Sequence, residues 1–131
     1  MDSLSHEEKI AVLKILQDII IADNVKEERE IELKNNILSA WSLSTSVNEE
    51  IEKFSTDRAV SMIRSFRIDK KNEVTKLMGS MIVVDKDINY KEVELYNSLC
   101  ELCEMENTFA VEDYPDCTYS SPFTNPEDII W

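Results

Sequence analysis

The residues whose types and spacing could do chemistry are acidic, and they come in two sets. Asp85, Asp87 and Asn89 stand at every second position, and Glu92 follows three residues later. Asp23 and Glu30 hold the places of Asp85 and Glu92, 62 positions earlier. Hard cations such as Ca2+ and Mg2+ take oxygen ligands, several of them charged. Asp23, Glu30, Asp85 and Glu92 are therefore the candidate metal ligands, with Asp87 and Asn89 as secondary ones. A second use of the same residues needs no ligand. The first turn of a helix carries free N–H groups and partial positive charge, so acids placed there stabilise the helix by themselves.

The run Asp85-x-Asp87-x-Asn89 matches the first three ligand positions of an EF-hand loop, and the match then stops. Position 6 requires Gly and holds Tyr90; position 12 requires a bidentate Glu and holds Tyr96. In the earlier set Val25 and Glu27 stand at positions 3 and 5. A metal here would need ligands pooled from both sets, or waters completing a sparse shell.

No other constellation competes. Cys100-x-x-Cys103 has no second pair, and a zinc site wants four ligands, which Cys117 and His6 are too scattered to supply. Buried thiols are the expected reading. An odd count of three cysteines predicts reduced thiols and a cytoplasmic address. Gly-rich phosphate loops, His-based metal motifs and nucleophile elbows are missing, so no enzyme is expected. The formal net charge of −13 argues against nucleic acid, which demands a basic face, and against anionic membrane surfaces. A divalent cation or a basic protein surface is the natural partner. No apolar run approaches the roughly 20 residues of a membrane span, and the acidic N-terminus does not read as a signal peptide.

The elements that must position these acids follow the same doubling. In register with the acids, Glu32 falls on Glu94, Leu33 on Leu95 and Asn35 on Asn97. Ile19-Ile20-Ile21-Ala22 and Met81-Ile82-Val83-Val84 precede the two elbows. Each set reads as an apolar helix end, an acidic elbow and an amphipathic helix. Internal repeats fix architecture, and two copies predict a pseudo-symmetric pair of hairpins.

Ser5 with Glu8 predicts a capping box for a first helix running to about Ala22, whose broad apolar face places it centrally. A second helix is expected over about Glu27 to Ser42. Ser46 with Glu49 predicts another capping box, and Val47 with Ile51 a hydrophobic staple. Ser55 or Thr56 is expected to cap the next helix and Asp69 the one after, with Gly79 inside it against a neighbouring helix. Asn89 and Glu92 are spaced as N-cap and N3 of the last long helix. Its inner face is Val93, Tyr96, Leu99, Cys100 and Cys103. All three prolines lie in residues 113–131, together with Tyr114, Tyr119, Phe123 and Trp131. This tail is expected to be a strap or a disordered end.

Ala22-Asp23 through Glu30 and Val84-Asp85 through Glu92 resemble the frame of the TerB-like tellurite-resistance domain. That domain also occurs at the front of a membrane-tethered DnaJ-type co-chaperone. The family pattern is roughly apolar-Ala-Asp-Gly-x-Ile-x-x-x-Glu, and the resemblance covers about residues 8 to 107. The glycine position holds Asn24 and Lys86, and the isoleucine position holds Lys26 and Ile88. Asn tolerates the left-handed backbone such a glycine supplies, and Lys does so less readily. The resemblance implies an all-helical fold, an acidic cluster that binds metal, and a link to stress responses.

The chain is thus expected to be an all-α single-domain bundle of about six to seven helices with a pseudo-two-fold repeat, over residues 1–112, followed by the tail 113–131. Its expected function is a small non-enzymatic TerB-like domain that binds a divalent cation or a basic partner through the elbows. The alternative is a protein–protein interaction module whose acids only cap helices.

Overall fold

The structure is a computed structural model that describes residues 4–22, 28–84 and 86–120. The described residues form six helices: α1 His6–Ile20, α2 Glu28–Ala40, α3 Val47–Lys53, α4 Thr56–Arg64, α5 Ile68–Val83 and α6 Tyr90–Leu102. Two three-residue strands, β1 Asp87–Asn89 and β2 Thr118–Ser120, pair in parallel. The all-α class is as expected, and the small sheet is an addition to it.

α1 is the axis of the bundle and packs against each of the other five helices. Ser5 starts it with the expected capping box. Its hydroxyl accepts from the Glu8 amide, and the Glu8 carboxylate accepts from the Ser5 amide at 2.8 Å. Ile10, Leu13, Ile15, Leu16 and Ile19 are buried around its full girth. Cutting any one of them to Ala would cost about 2–5 kcal/mol, because a surrounded side chain leaves a cavity.

Several boundaries differ from expectation, each for a local reason. Ser46 does not cap α3: it already has helical φ −61° and ψ −23°, and its side chain makes no cap bond. The Ser44 and Thr45 carbonyls take the Val47 and Asn48 amides that a cap would have served. Val47 and Ile51 are both buried, but Val47 is the first residue of α3, so the pair lies one turn apart inside the helix and is not the expected staple, which needs a residue ahead of the cap. Ser55 caps α4 through the Arg58 amide. α5 starts one residue before Asp69, after Arg67, so Asp69 acts by charge in the first turn and not as the cap. α2 ends at Ala40, two residues before the expected Ser42.

The ends of α2 and α6 are built alike. Ser42 and Glu104 take left-handed φ values of 59° and 56°. The Leu43 amide donates to the Leu38 carbonyl and the Met105 amide to the Cys100 carbonyl, both at 2.8 Å. This is the wrap-back that closes a helix on a left-handed residue. Each of these residues stands 62 positions from its counterpart, as do both bounds of α2 and α6.

After α6 the chain is held by aromatic packing and not by helix. The buried Tyr96 side chain lies beside Cys100 and residues 108–109, and the Phe109 amide donates to Asn107 Oδ1 at 3.3 Å. The Phe109 ring lies 5.7 Å from Tyr96 and stacks on Tyr114 at 5.4 Å. Gly79 faces this ring, where a neighbouring helix was expected; a Cβ on it would meet Phe109 Cδ2 at 3.4 Å. Residues 114–120 then cross to the second elbow as a strap, and residues 121–131 lie outside the described part.

Candidate cation-binding elbows

Glu30 and Glu92 stand in the first turns of α2 and α6 and are 1% and 2% exposed. They are the buried carboxylates among the described residues. Helix-start acids normally sit in water, where the positive helix end favours them at no desolvation cost. Burial adds a desolvation cost of several kcal/mol per ion, which the surroundings must offset. Sequence periodicity marked the two as equivalent but gave no sign that they are inside.

The second elbow is shaped by one unusual backbone residue. Lys86 takes φ 63° and its amide donates to the Val83 carbonyl. It occupies the position where the resembling family has glycine, so a lysine sits in the left-handed region that a side chain disfavours. β1 follows with Asp87 outward, Ile88 fully buried and Asn89 half-buried. Asn89 is the N-cap of α6 and accepts from the Lys91 amide at 2.8 Å. Asp87 Oδ1 accepts from the Thr118 hydroxyl at 3.0 Å. Both proposed secondary ligands therefore already serve as structural acceptors.

Asp23 and Asp85 lie outside the described residues, as does the rest of the first elbow over 23–27. Among the described residues, no three His, Cys, Asp or Glu side chains come together as a metal would need. The oxygen chemistry of Glu30, Asp87, Asn89 and Glu92 suits a hard cation. Asp23 and Asp85 would have to complete such a set.

One charged residue that sequence reasoning passed over lies on α2 beside Glu30. Lys34, one turn beyond Glu30, is 9% exposed and donates to Gln17 Oε1 at 2.6 Å. Its signal was available: Glu30, Lys34, Ile37 and Leu38 follow a helical stripe, and two of the four are charged. At the other end of α1, His6 Nε2 meets Glu50 Oε2 on α3 at 2.9 Å, at the surface.

Cys100 and Cys103 are buried free thiols, as expected, and Cys117 is half-buried. Burial first, and the neighbouring Cys100 next, push the Cys103 thiol up to about 11, against the pull of Lys71 and Arg64. Burial likewise leads in raising Tyr96 to about 12. Groups this reluctant to ionise are poor nucleophiles and poor metal ligands at neutral pH.

No family model matches the chain, and no curated protein matches it. Among solved structures, the chain is similar to the crystal structure of PG1108, a protein of unknown function from Porphyromonas gingivalis W83. The TM-score is 0.67 at 20% identity, over 80% of this chain and 89% of that one. A likeness at that identity speaks for the fold alone. Among the described residues no helix is long and apolar enough to cross a membrane.

Proposed function

We propose that the chain is a small non-enzymatic helical domain of TerB-like kind, formed by two related hairpins. Its acidic elbows bind a divalent cation or a basic protein surface. The observation that carries this reading is the joint burial of Glu30 and Glu92 at matching places. Capping alone does not require burial; a carboxylate that holds a cation or orients a ligand loop is held inside by that role. The net charge of −13 supplies an attractive field for either partner.

The test is thermal melting of the full chain with Ca2+, Mg2+, Mn2+ and Zn2+ in turn. A cation that binds only the folded form raises Tm by mass action. At least one is expected to do so in a saturable way. Unchanged melting with millimolar amounts of every ion would remove the cation version.

A second reading is favoured by the two hydrogen bonds at β1. Asn89 caps α6 and Asp87 holds the strap, which are purely structural roles. In this reading the domain is an interaction module. Ile68 and Leu102, at 74% and 56% exposure, are apolar surface for a partner to cover. Removing residues 113–131 separates the two readings: lost partner capture with an unchanged cation response favours the module.

A further inference from the structure

α5 keeps one polar stripe open. Asn72, Thr75, Lys76 and Gly79 recur at helical spacing on one face, and all four line cavities. Gly79 is the chain's only glycine and stands inside a helix of 16 residues. Glycine is a poor helix former, so its place there asks for a reason. Beyond its own helix, a Cβ on Gly79 would meet the Phe109 ring alone. The added methyl group would otherwise enter the cavity.

The stripe is open because no helix covers it. In the first half, α3 packs on α1 and buries Val47 and Ile51. Sixty-two positions on, Phe109 and the exposed Asp113 stand in their places, and Pro115 follows, where a helix cannot continue. This segment forms only a short 3-10 turn, Val111–Asp113. Two cavities of about 320 and 240 Å3 lie between it and α5, and they share Thr75, Lys76 and Thr108. Together they make one groove. It runs roughly 12 Å along α5 from Asn72 to Ser80, at the helical rise per residue.

The two ends of the groove differ. One is aromatic: Phe109 lies against Gly79 and stacks on Tyr114 at 5.4 Å, with the planes 21° apart. The other is polar, with Asn72, Lys76, Glu106 and Thr108. The two lining charges, Lys76 and Glu106, cancel. Lys76 meets Glu73 at 3.8 Å on the surface, a weak pairing that a ligand can displace. The Thr75 hydroxyl donates to the Asn72 carbonyl and keeps its oxygen as an acceptor. An amide, hydroxyls, a carboxylate and an ammonium thus offer both donors and acceptors with no net charge.

We propose that this groove binds a neutral carbohydrate, one or two pyranose rings long. The apolar face of a ring lies over Gly79 against the Phe109–Tyr114 stack. Its hydroxyls meet Asn72, Thr75, Glu106 and Thr108. A purely apolar ligand would cover these polar groups without replacing their bonds to water. An anion finds no surplus positive charge in the groove and is repelled by the chain's net charge of −13. This site stands independently of any cation at the elbows.

NMR titration of the full chain with neutral mono- and disaccharides, each up to about 50 mM, tests the proposal in the millimolar range that an open groove gives. At least one sugar is expected to shift two signals saturably: the Gly79 amide, unmistakable as the only glycine, and the Asn72 side-chain amide. Gly79→Ala puts a methyl group into the groove while favouring the helix. Followed by the Asn72 signal, it should weaken the sugar on the order of tenfold or more. Glu106→Ala removes an exposed carboxylate and should weaken it severalfold. Circular dichroism checks the fold of both variants. The proposal is overturned if no sugar moves the two signals saturably, or if affinity is unchanged in Gly79→Ala. Unphosphorylated nucleosides that move the same signals at lower concentration also overturn it, because they assign the groove to a flat base. Should Gly79→Ala fail to fold, Glu106→Ala decides, and unchanged affinity there overturns the proposal.

Discussion

Thr118 donates its hydroxyl to Asp87 Oδ1 at 3.0 Å, across the parallel pair of β1 and β2. Its amide donates to the Lys86 carbonyl at 2.9 Å. One residue of the strap thus fixes both the backbone and an acid of the second elbow. Thr118→Val keeps the branched shape and removes the hydroxyl. The expected cost is about 0.5–1 kcal/mol, that of one net hydrogen bond, read as a lower midpoint in urea denaturation. An unchanged midpoint would mean that the backbone bond alone holds the strap.

Lys86 is held left-handed at φ 63° with a side chain that disfavours this region. Lys86→Gly should raise stability by about 0.5–1 kcal/mol, since relief of the strain exceeds the extra freedom glycine gains when unfolded. The measurement is Tm at fixed pH and salt. A lower Tm would show that the lysine side chain contributes more than its backbone costs.

The fold was legible because its signals are local and repeated. Period-3.6 apolar spacing located α1, α5 and α6, and the Ser5 and Ser55 caps fell where their spacing put them. Errors came where the backbone satisfied its own amides. At Ser46, neighbouring carbonyls replaced the side-chain cap, and no propensity reports that. A strap was one of the two expectations for the tail, but its strand was illegible for another reason: β2 pairs with β1 across about thirty residues, and a three-residue strand has no readable period. The site was half legible. Equal spacing matched Glu30 with Glu92, but charge alone gave no warning that both are buried. Lys34 shows the remedy, because a charged residue inside an apolar stripe is itself a signal.

Gly79 was expected to permit close approach of a helix, and the structure places only the edge of Phe109 near it. A Cβ there would lie 3.4 Å from Phe109 Cδ2, an ordinary contact distance. Gly79→Ala should therefore stabilise the chain by about 0.5–1 kcal/mol through helix propensity. Thermal denaturation checks the sign. Destabilisation would show that the aromatic stack of Tyr96, Phe109 and Tyr114 cannot shift to admit a methyl group.

Alkaline pH should unfold the domain earlier than its surface charge suggests. The Cys103 thiol is raised from 9.0 to about 11 and the Tyr96 phenol from 10.0 to about 12, chiefly by burial. Both groups are neutral below their pKa values, so the unfolded chain loses these protons first. Stability is then fully present below pH 9 and falls as pH rises toward 11 and 12. Urea midpoints measured from pH 8 to 11 should decline across this window. Cys103→Ala should flatten the lower part of the decline, and a slope unchanged by that variant would assign it to other groups.

Glu30 and Glu92 allow structure and function to be separated with a single substitution type. Glutamine keeps the size of each side chain and removes the charge that burial penalises. If the two acids only start helices, Glu30→Gln and Glu92→Gln lose the favourable helix-end interaction and should each cost up to about 1 kcal/mol. Any rise in Tm caused by a cation would then be unaffected. If they serve the elbows as proposed, the double variant keeps the wild-type circular dichroism spectrum. The same protein should lose most of the cation-dependent rise in Tm that the wild type shows. Measuring Tm with and without the responding ion, on wild type and double variant side by side, distinguishes the outcomes. A full cation response retained in the double variant would place the ion elsewhere and reduce both glutamates to helix starts.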